Sequence, residues 1–154
     1  VNPAYRLGEL AYTLNKAGCR GLVTGVSFRA SDYIAMLNEL LPELADCAPG
    51  KLRAKRVQSL TTIIRLGDQP TPGMFNFGDV LASRPSADDP SVSQLSDGLR
   101  NTDAINIQFT SGTTGTPKGA TLTHYNIVNN GRFVVRAMKF NFRWIFPMQV
   151  TECS

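Results

Sequence analysis

Ala104-Ile105-Asn106-Ile107-Gln108-Phe109, then Thr110-Ser111-Gly112-Thr113-Thr114-Gly115-Thr116-Pro117-Lys118-Gly119, then Ala120-Thr121-Leu122-Thr123 is the most informative run in the chain. Its first six residues alternate apolar and polar, the period of a strand, with Ile105, Ile107 and Phe109 on one face. Alternation resumes after Gly119, so the run predicts a loop joining two strands, with a helix beginning near His124-Tyr125-Asn126. Toward the N-terminus, Leu7, Leu10, Ala11, Leu14 and Ala17 recur at helical spacing before a stop at Gly18. Gly21-Leu22-Val23-Thr24-Gly25 predicts a buried strand. Ser31 is the expected N-cap of a helix carrying Tyr33, Ile34, Leu37, Leu40, Leu41 and Leu44, kinked or ended by Pro42. Residues 48–56 read as a surface loop and 60–66 as a strand. Residues 69–101 read as mostly connection, with one short helix around Phe77 to Ala82. Strands and helices alternating at this spacing predict an α/β fold, a mostly parallel sheet with flanking helices.

The whole chain has 154 residues, 42% hydrophobic and 18% charged, enough for one globular core and little more. Thirteen Gly and nine Pro make it turn-rich without a collagen-like or disordered composition. Sixteen Lys and Arg against twelve Asp and Glu leave a net charge of +4, a mild field that favours anionic partners such as nucleotides. Cys19, Cys47 and Cys153 are three in number and widely spaced, which fits neither a disulfide framework nor a metal site built on close Cys pairs. The chain starts at Val1 with no secretory leader behind it, and no targeting segment is read from it. Nor does it hold an unbroken apolar run of about 18 residues, so no transmembrane segment is expected.

The loop carries the chemistry. Gly112, Gly115 and Gly119 allow backbone N–H groups to turn toward a ligand. Thr110, Ser111, Thr113, Thr114 and Thr116 supply hydroxyls, and Lys118 a positive charge. Together they predict polyphosphate binding, since charge-assisted hydrogen bonds are worth roughly 1.5–3 kcal/mol each. A P-loop of the G-x-x-x-x-G-K-[ST] kind is excluded, because Pro117 precedes Lys118, Gly119 follows it, and a strand rather than a helix comes next. A flexible Gly/Ser-type linker would not require Pro117 and Lys118 at fixed places between two patterned strands.

Phe109 through Gly119 resembles, at every position, the phosphate-binding signature of the adenylate-forming (ATP-dependent AMP-binding) enzymes. Asn2-Pro3-Ala4-Tyr5-Arg6 with Glu9-Leu10, and Ile105-Asn106-Ile107-Gln108 leading into Ala120 and on to Asn130, are similar to the acyl-CoA synthetase branch, nearest its mitochondrial medium-chain members. The resemblance implies part of the large N-terminal domain of such an enzyme. It also implies two half-reactions: a medium-chain fatty acid and ATP give acyl-adenylate and pyrophosphate, and CoA then displaces AMP. ATP, Mg2+ and CoA are the implied ligands, a mitochondrial location the implied setting, and nucleic acid is not an implied partner. Thr110, Ser111, Gly112, Thr113, Thr114, Gly115, Thr116, Pro117 and Lys118 would wrap the β- and γ-phosphates, with no residue of this chain expected to be catalytic or to ligate a metal.

The family's later motifs for adenine, ribose and the catalytic lysine are not found here, nor are the parts that bind acyl chain and CoA. The expectation is a fragment or truncated isoform with little ligase activity by itself. In the alternative reading it is an inactive product, at most a weak nucleotide-binding or interaction module. The expected division is a partial AMP-binding domain over 1–131 and a divergent tail over 132–154, exposed or poorly packed. The tail's basic and aromatic residues would also suit a membrane surface or nucleic acid, but they keep no clean helical period.

Other polar residues read as structural. His124, the sole histidine, is expected to cap or pack at the helix start near the loop, and metal binding would need partners it lacks. Ser111 has no G-x-S-x-G elbow that would make it a nucleophile. Cys19 and Cys47 read as buried or half-buried thiols, Cys153 as a terminal one, and Asp88-Asp89 as a solvated turn rather than a magnesium site.

Overall fold

The computed structural model describes residues 1–83, 86, 89–110 and 117–139. Helix α1 (Leu7–Ala17) starts where the Glu9 carboxylate accepts the Arg6 amide at 2.9 Å. It ends where Gly18 turns left-handed at φ 61°. There the Cys19 amide reaches the Leu14 carbonyl at 3.0 Å and the Gly18 amide the Asn15 carbonyl at 3.1 Å, the paired closure of a Schellman motif. Strand β1 (Gly21–Thr24) follows, then a tight antiparallel hairpin of β2 (Ser27–Phe28) and β3 (Ser31–Asp32).

Helix α2 (Tyr33–Leu40) is capped by Asp32, whose side chain accepts the Ala35 amide at 2.9 Å, and not by Ser31, which is tied up opposite Phe28 in the hairpin. Pro42 ends it as expected and opens a 3-10 turn, Pro42–Asp46. Strand β4 (Thr62–Arg65) is shorter than the expected 60–66. Leu60 closes a turn onto Val57 and the Thr61 amide bonds Arg20, so neither joins the ladder. Strand β5 (Phe75–Asn76) and helix α3 (Phe77–Ala82) come next, the helix where the sequence placed it.

The expectation of mere connection from 69 to 101 is corrected by helix α4 (Pro90–Asp97). Asp89 caps it, accepting the Ser91 amide at 2.8 Å, and Pro90 takes its first turn, where the missing N–H costs nothing. Strands β6 (Ala104–Thr110) and β7 (Lys118–Thr123) and helix α5 (His124–Ala137) complete the described elements. Helix α5 runs through 131–132 without a break and carries Arg132 to Ala137, where the sequence pattern had shown no helical period.

The fold is α/β. β1, β4 and β5 form a three-stranded parallel sheet in the order β1-β4-β5, pairing Gly21 with Thr62 through Thr24 with Arg65, and Arg65 with Asn76. β6 and β7 form a separate antiparallel pair. The buried apolar core draws Leu10 and Leu14 from α1, Leu37 and Leu40 from α2, Leu44, Val57 and Leu60 from the connections, and Ile63 from β4. Each fully buried side chain of this size contributes about 1.5–3 kcal/mol. Among the described residues the core cluster runs from Leu10 to Met74, while α3, α4 and α5 bury none of their residues.

Candidate functional site

The site expected from sequence lies at the turn between β6 and β7. The two strands pair Ala104 with Thr123, shift register before Asn106, and then run Asn106 with Leu122, Ile107 with Thr121, Gln108 with Ala120, Phe109 with Gly119 and Thr110 with Lys118. The ladder thus closes on Thr110 and Lys118, which face each other across the mouth of the turn. Both are exposed, and the Thr110 hydroxyl lies 3.5 Å from the Lys118 carbonyl as a donor. Ser111, Gly112, Thr113, Thr114, Gly115 and Thr116 lie outside the described residues.

Pro117 and Gly119 flank the lysine for different reasons. The Pro117 carbonyl accepts the Tyr12 hydroxyl of α1 at 3.3 Å, a bond that spans 105 positions of sequence. Gly119 does not use a left-handed conformation, although the sequence reading allowed for one. Its reason is space: a Cβ there would sit 3.0 Å from Ile107 Cγ2 and 3.4 Å from the Phe109 ring. Ile107 and Phe109 thus lie on the same side as Gly119, while the register shift falls at Ile105, and Ile105 and Ile107 remain 45% and 43% exposed.

His124 is not beside the turn. Six strand steps separate it from Lys118, roughly 20 Å at the rise of an extended chain. It does not cap α5 either. Thr123 does, its hydroxyl accepting the Asn126 amide at 3.2 Å while the Asn126 side chain accepts the Thr123 amide at 3.0 Å, a reciprocal capping box. The His124 amide donates to the Asp103 carbonyl at 3.4 Å.

Cys19 and Cys47 are free and half-buried, as expected, whereas Cys153 and Asp88 lie outside the described residues. Asp89 serves as a helix cap, and hydrogen bonds from the Ser91 side chain and amide hold its carboxyl below the ordinary range. Among the described residues no three His, Cys, Asp or Glu side chains come together to hold a metal ion. Elsewhere, an apolar cleft of about 170 Å³ opens between the N-terminal segment, the end of β1 and α2, lined by Pro3, Tyr5, Leu22, Val23, Tyr33 and Met36. It contains none of the residues of the turn.

Tyr12 is the residue that sequence reasoning missed. It belongs to no motif, and its contact with Pro117 exists only once α1 and the β6–β7 pair are brought together.

A family model described as AMP-binding enzyme matches residues 1–150. The chain is 41% identical over 160 aligned positions to the mitochondrial medium-chain acyl-CoA ligase ACSF2 of Macaca fascicularis, covering 99% of this chain and 26% of that protein. Against the Homo sapiens protein of the same description the identity is 40%, with the same coverage. It is 35% identical to the putative acyl-CoA synthetase YngI of Bacillus subtilis, covering 99% of this chain and 28% of that one. Among solved structures, the anthranilate CoA ligase AuaEII in complex with anthranoyl-AMP superposes with a TM-score of 0.57 over 80% of this chain and 19% of its own, at 20% identity, a likeness of fold. The chain spans about a quarter of the length of the curated relatives it matches. No helix of the described residues is long and apolar enough to cross a membrane.

Proposed function

The chain belongs to the AMP-binding enzyme family, and from that premise we propose that it is a segment of a fatty acid–CoA ligase whose β6–β7 turn, residues 110–118, holds the phosphates of ATP. In the reaction proposed, a carboxylate oxygen of a medium-chain acid attacks the α-phosphorus of ATP. The bond to the bridging oxygen breaks, pyrophosphate leaves with the electron pair, and an acyl-adenylate remains. The thiolate of CoA then attacks the acyl carbon, and AMP departs. Negative charge builds on the leaving phosphates in the first step, so cations and hydrogen-bond donors fixed around them lower its barrier.

One observation carries the reading: the ladder closes with Thr110 opposite Lys118, setting a hydroxyl and a cationic side chain at the two ends of the signature turn. Lys118 would offset charge on the β- and γ-phosphates, and the hydroxyls and amides of residues 110–116 would donate to the same oxygens. These groups position and stabilise, and none is proposed to move a proton. Magnesium would arrive on the nucleotide, since the described residues bring together no cation-holding group of three acidic, His or Cys side chains. The medium-chain substrate and a mitochondrial setting belong to this proposal through the named relatives.

A second reading is favoured by the chain's spanning about a quarter of those relatives: these residues taken alone bind nucleotide weakly and complete no ligation. Calorimetric titration with Mg-ATP tests the first part. Lys118→Ala is expected to weaken binding by about tenfold, the loss of one exposed charge-assisted contact. Equal affinity of the two proteins would overturn the assignment of the turn. Pyrophosphate release with octanoate, ATP and CoA separates the two readings, because sustained turnover by the 154 residues would refute the second.

A further inference from the structure

Tyr12 has no part in the chemistry above, yet the fold carries its hydroxyl from α1 to the end of the β6–β7 turn, where it donates to the Pro117 carbonyl at 3.3 Å. Resting on the reading of that turn as a phosphate site, we propose that Tyr12 is a positioning residue for Lys118. Pro117 and Lys118 share one planar peptide unit, so a donor on the Pro117 carbonyl orients the plane from which the lysine starts. The proline ring already fixes φ at Pro117, and the bond to Tyr12 restrains the remaining soft torsion before the Lys118 nitrogen.

On the far side, the Lys118 carbonyl accepts the Thr110 hydroxyl at 3.5 Å, and the two residues are ladder partners. The lysine backbone is therefore held from both directions while its side chain stays exposed to a ligand. Tyr12 is itself well anchored, partly buried in a helix whose Leu10 and Leu14 belong to the core. β6 and β7 contribute no residue to that core, so the Tyr12 bond ties the Pro117 end of β7 to a helix that does.

Tyr12→Phe removes the oxygen and keeps the ring. In the full 154-residue chain, hydrogen exchange of the Lys118 amide is expected to speed up about fivefold, the usual worth of one neutral hydrogen bond, with the urea midpoint and the exchange of Leu14 and Ile63 unchanged. Affinity for Mg-ATP is expected to fall by a similar factor. Unchanged exchange at Lys118 would overturn the inference. So would equal acceleration at Lys118, Leu14 and Ile63, which would make Tyr12 a general stability residue. Exchange is read on the free protein, so it decides the role of Tyr12 even if the unsubstituted chain fails to bind Mg-ATP, the separate result that would sink the phosphate-site reading.

Discussion

Gly73→Ala is expected to destabilise this chain by about 2–5 kcal/mol, and both contributions come from geometry. Gly73 sits at φ +72°, where an L side chain crowds its own backbone at a cost of roughly 1–2 kcal/mol. A Cβ there would lie 2.6 Å from the Leu44 carbonyl oxygen and 2.9 Å from both Cys47 Sγ and Leu44 Cδ2. The first of these cannot swing aside, because it is backbone in the 3-10 turn Pro42–Asp46, whose Leu44 side chain is fully buried. Relief must come from moving Gly73 and with it Met74, a core residue, and overpacking of this kind costs about 1–3 kcal/mol more. A domain of this size commonly has only about 5–15 kcal/mol in total. Urea unfolding followed by far-UV circular dichroism measures the loss. Gly78→Ala is the control: that glycine lies inside α3 with nothing within 4 Å of its Cβ position and no positive φ, so alanine there should be neutral or stabilising by up to about 1 kcal/mol. If the two variants unfold at the same urea concentration, the close approach of Gly73 to Leu44 is not a feature of the folded protein.

Thr123→Ala removes the hydroxyl that caps α5 and with it the bond from the Asn126 amide, while the residue 123 amide can still donate to the Asn126 side chain, so the helix should lose about 1 kcal/mol. Faster exchange at the Asn126 amide with an unmoved core would report it, and unchanged exchange there would refute the cap. The Asp89 carboxyl, held below its ordinary value of 3.8 by the Ser91 side chain and amide, carries a definite sign. Its folded pKa is depressed, so its support for α4 is complete above the ordinary value and is lost as pH falls through the lowered one. An NMR titration of Asp89 with its midpoint at or above 3.8 would contradict this, and Asp89→Asn should abolish the acid-induced change at the Ser91 amide.

Legibility followed the physics of each element. α1 could be recognised and its end placed because its apolar stripe is regular and Gly18 supplies a stop that a left-handed glycine makes cheap, whereas the Arg6–Glu9 closure of its start carried no usual capping residue. β6, β7 and the start of α5 were visible because alternation changes to helical spacing at a cap. α4 was hidden because Pro90–Asp97 is only two turns long and sits in a Ser/Asp/Pro-rich stretch, its apolar Val92 and Leu95 bury nothing, and its cap signal, Asp89-Pro90, a cap followed by a proline at the first turn, reads equally as a loop. The shift of a cap from Ser31 to Asp32 depended on which of two neighbouring capping residues the β2–β3 hairpin consumed, which no local pattern records. Around the turn, the hydroxyls, glycines and lysine were legible as chemistry. Tyr12 was not, because a tyrosine one residue ahead of the buried pair Thr13 and Leu14 looks like the flank of any amphipathic helix.

The same distribution of burial bears on how the turn could work. The core is assembled by residues 10 to 74, and its cooperativity belongs to α1, α2 and the parallel sheet. The β6–β7 pair stands outside that core, on its own ladder, on α5 packed against β7 with the His124 and Tyr125 amides bonded to Asp103 and Asn101, and on the Tyr12 bond. An isolated two-stranded pair is marginal in water, so one neutral hydrogen bond is a large share of what orders this one, although it is a small share of what holds the core. Changes near the turn should therefore alter phosphate affinity without moving the unfolding midpoint, while Gly73→Ala should move the midpoint first. Were every substitution to shift both together, the two layers would be one cooperative unit, and the hydroxyl of Tyr12 would have no local role to explain.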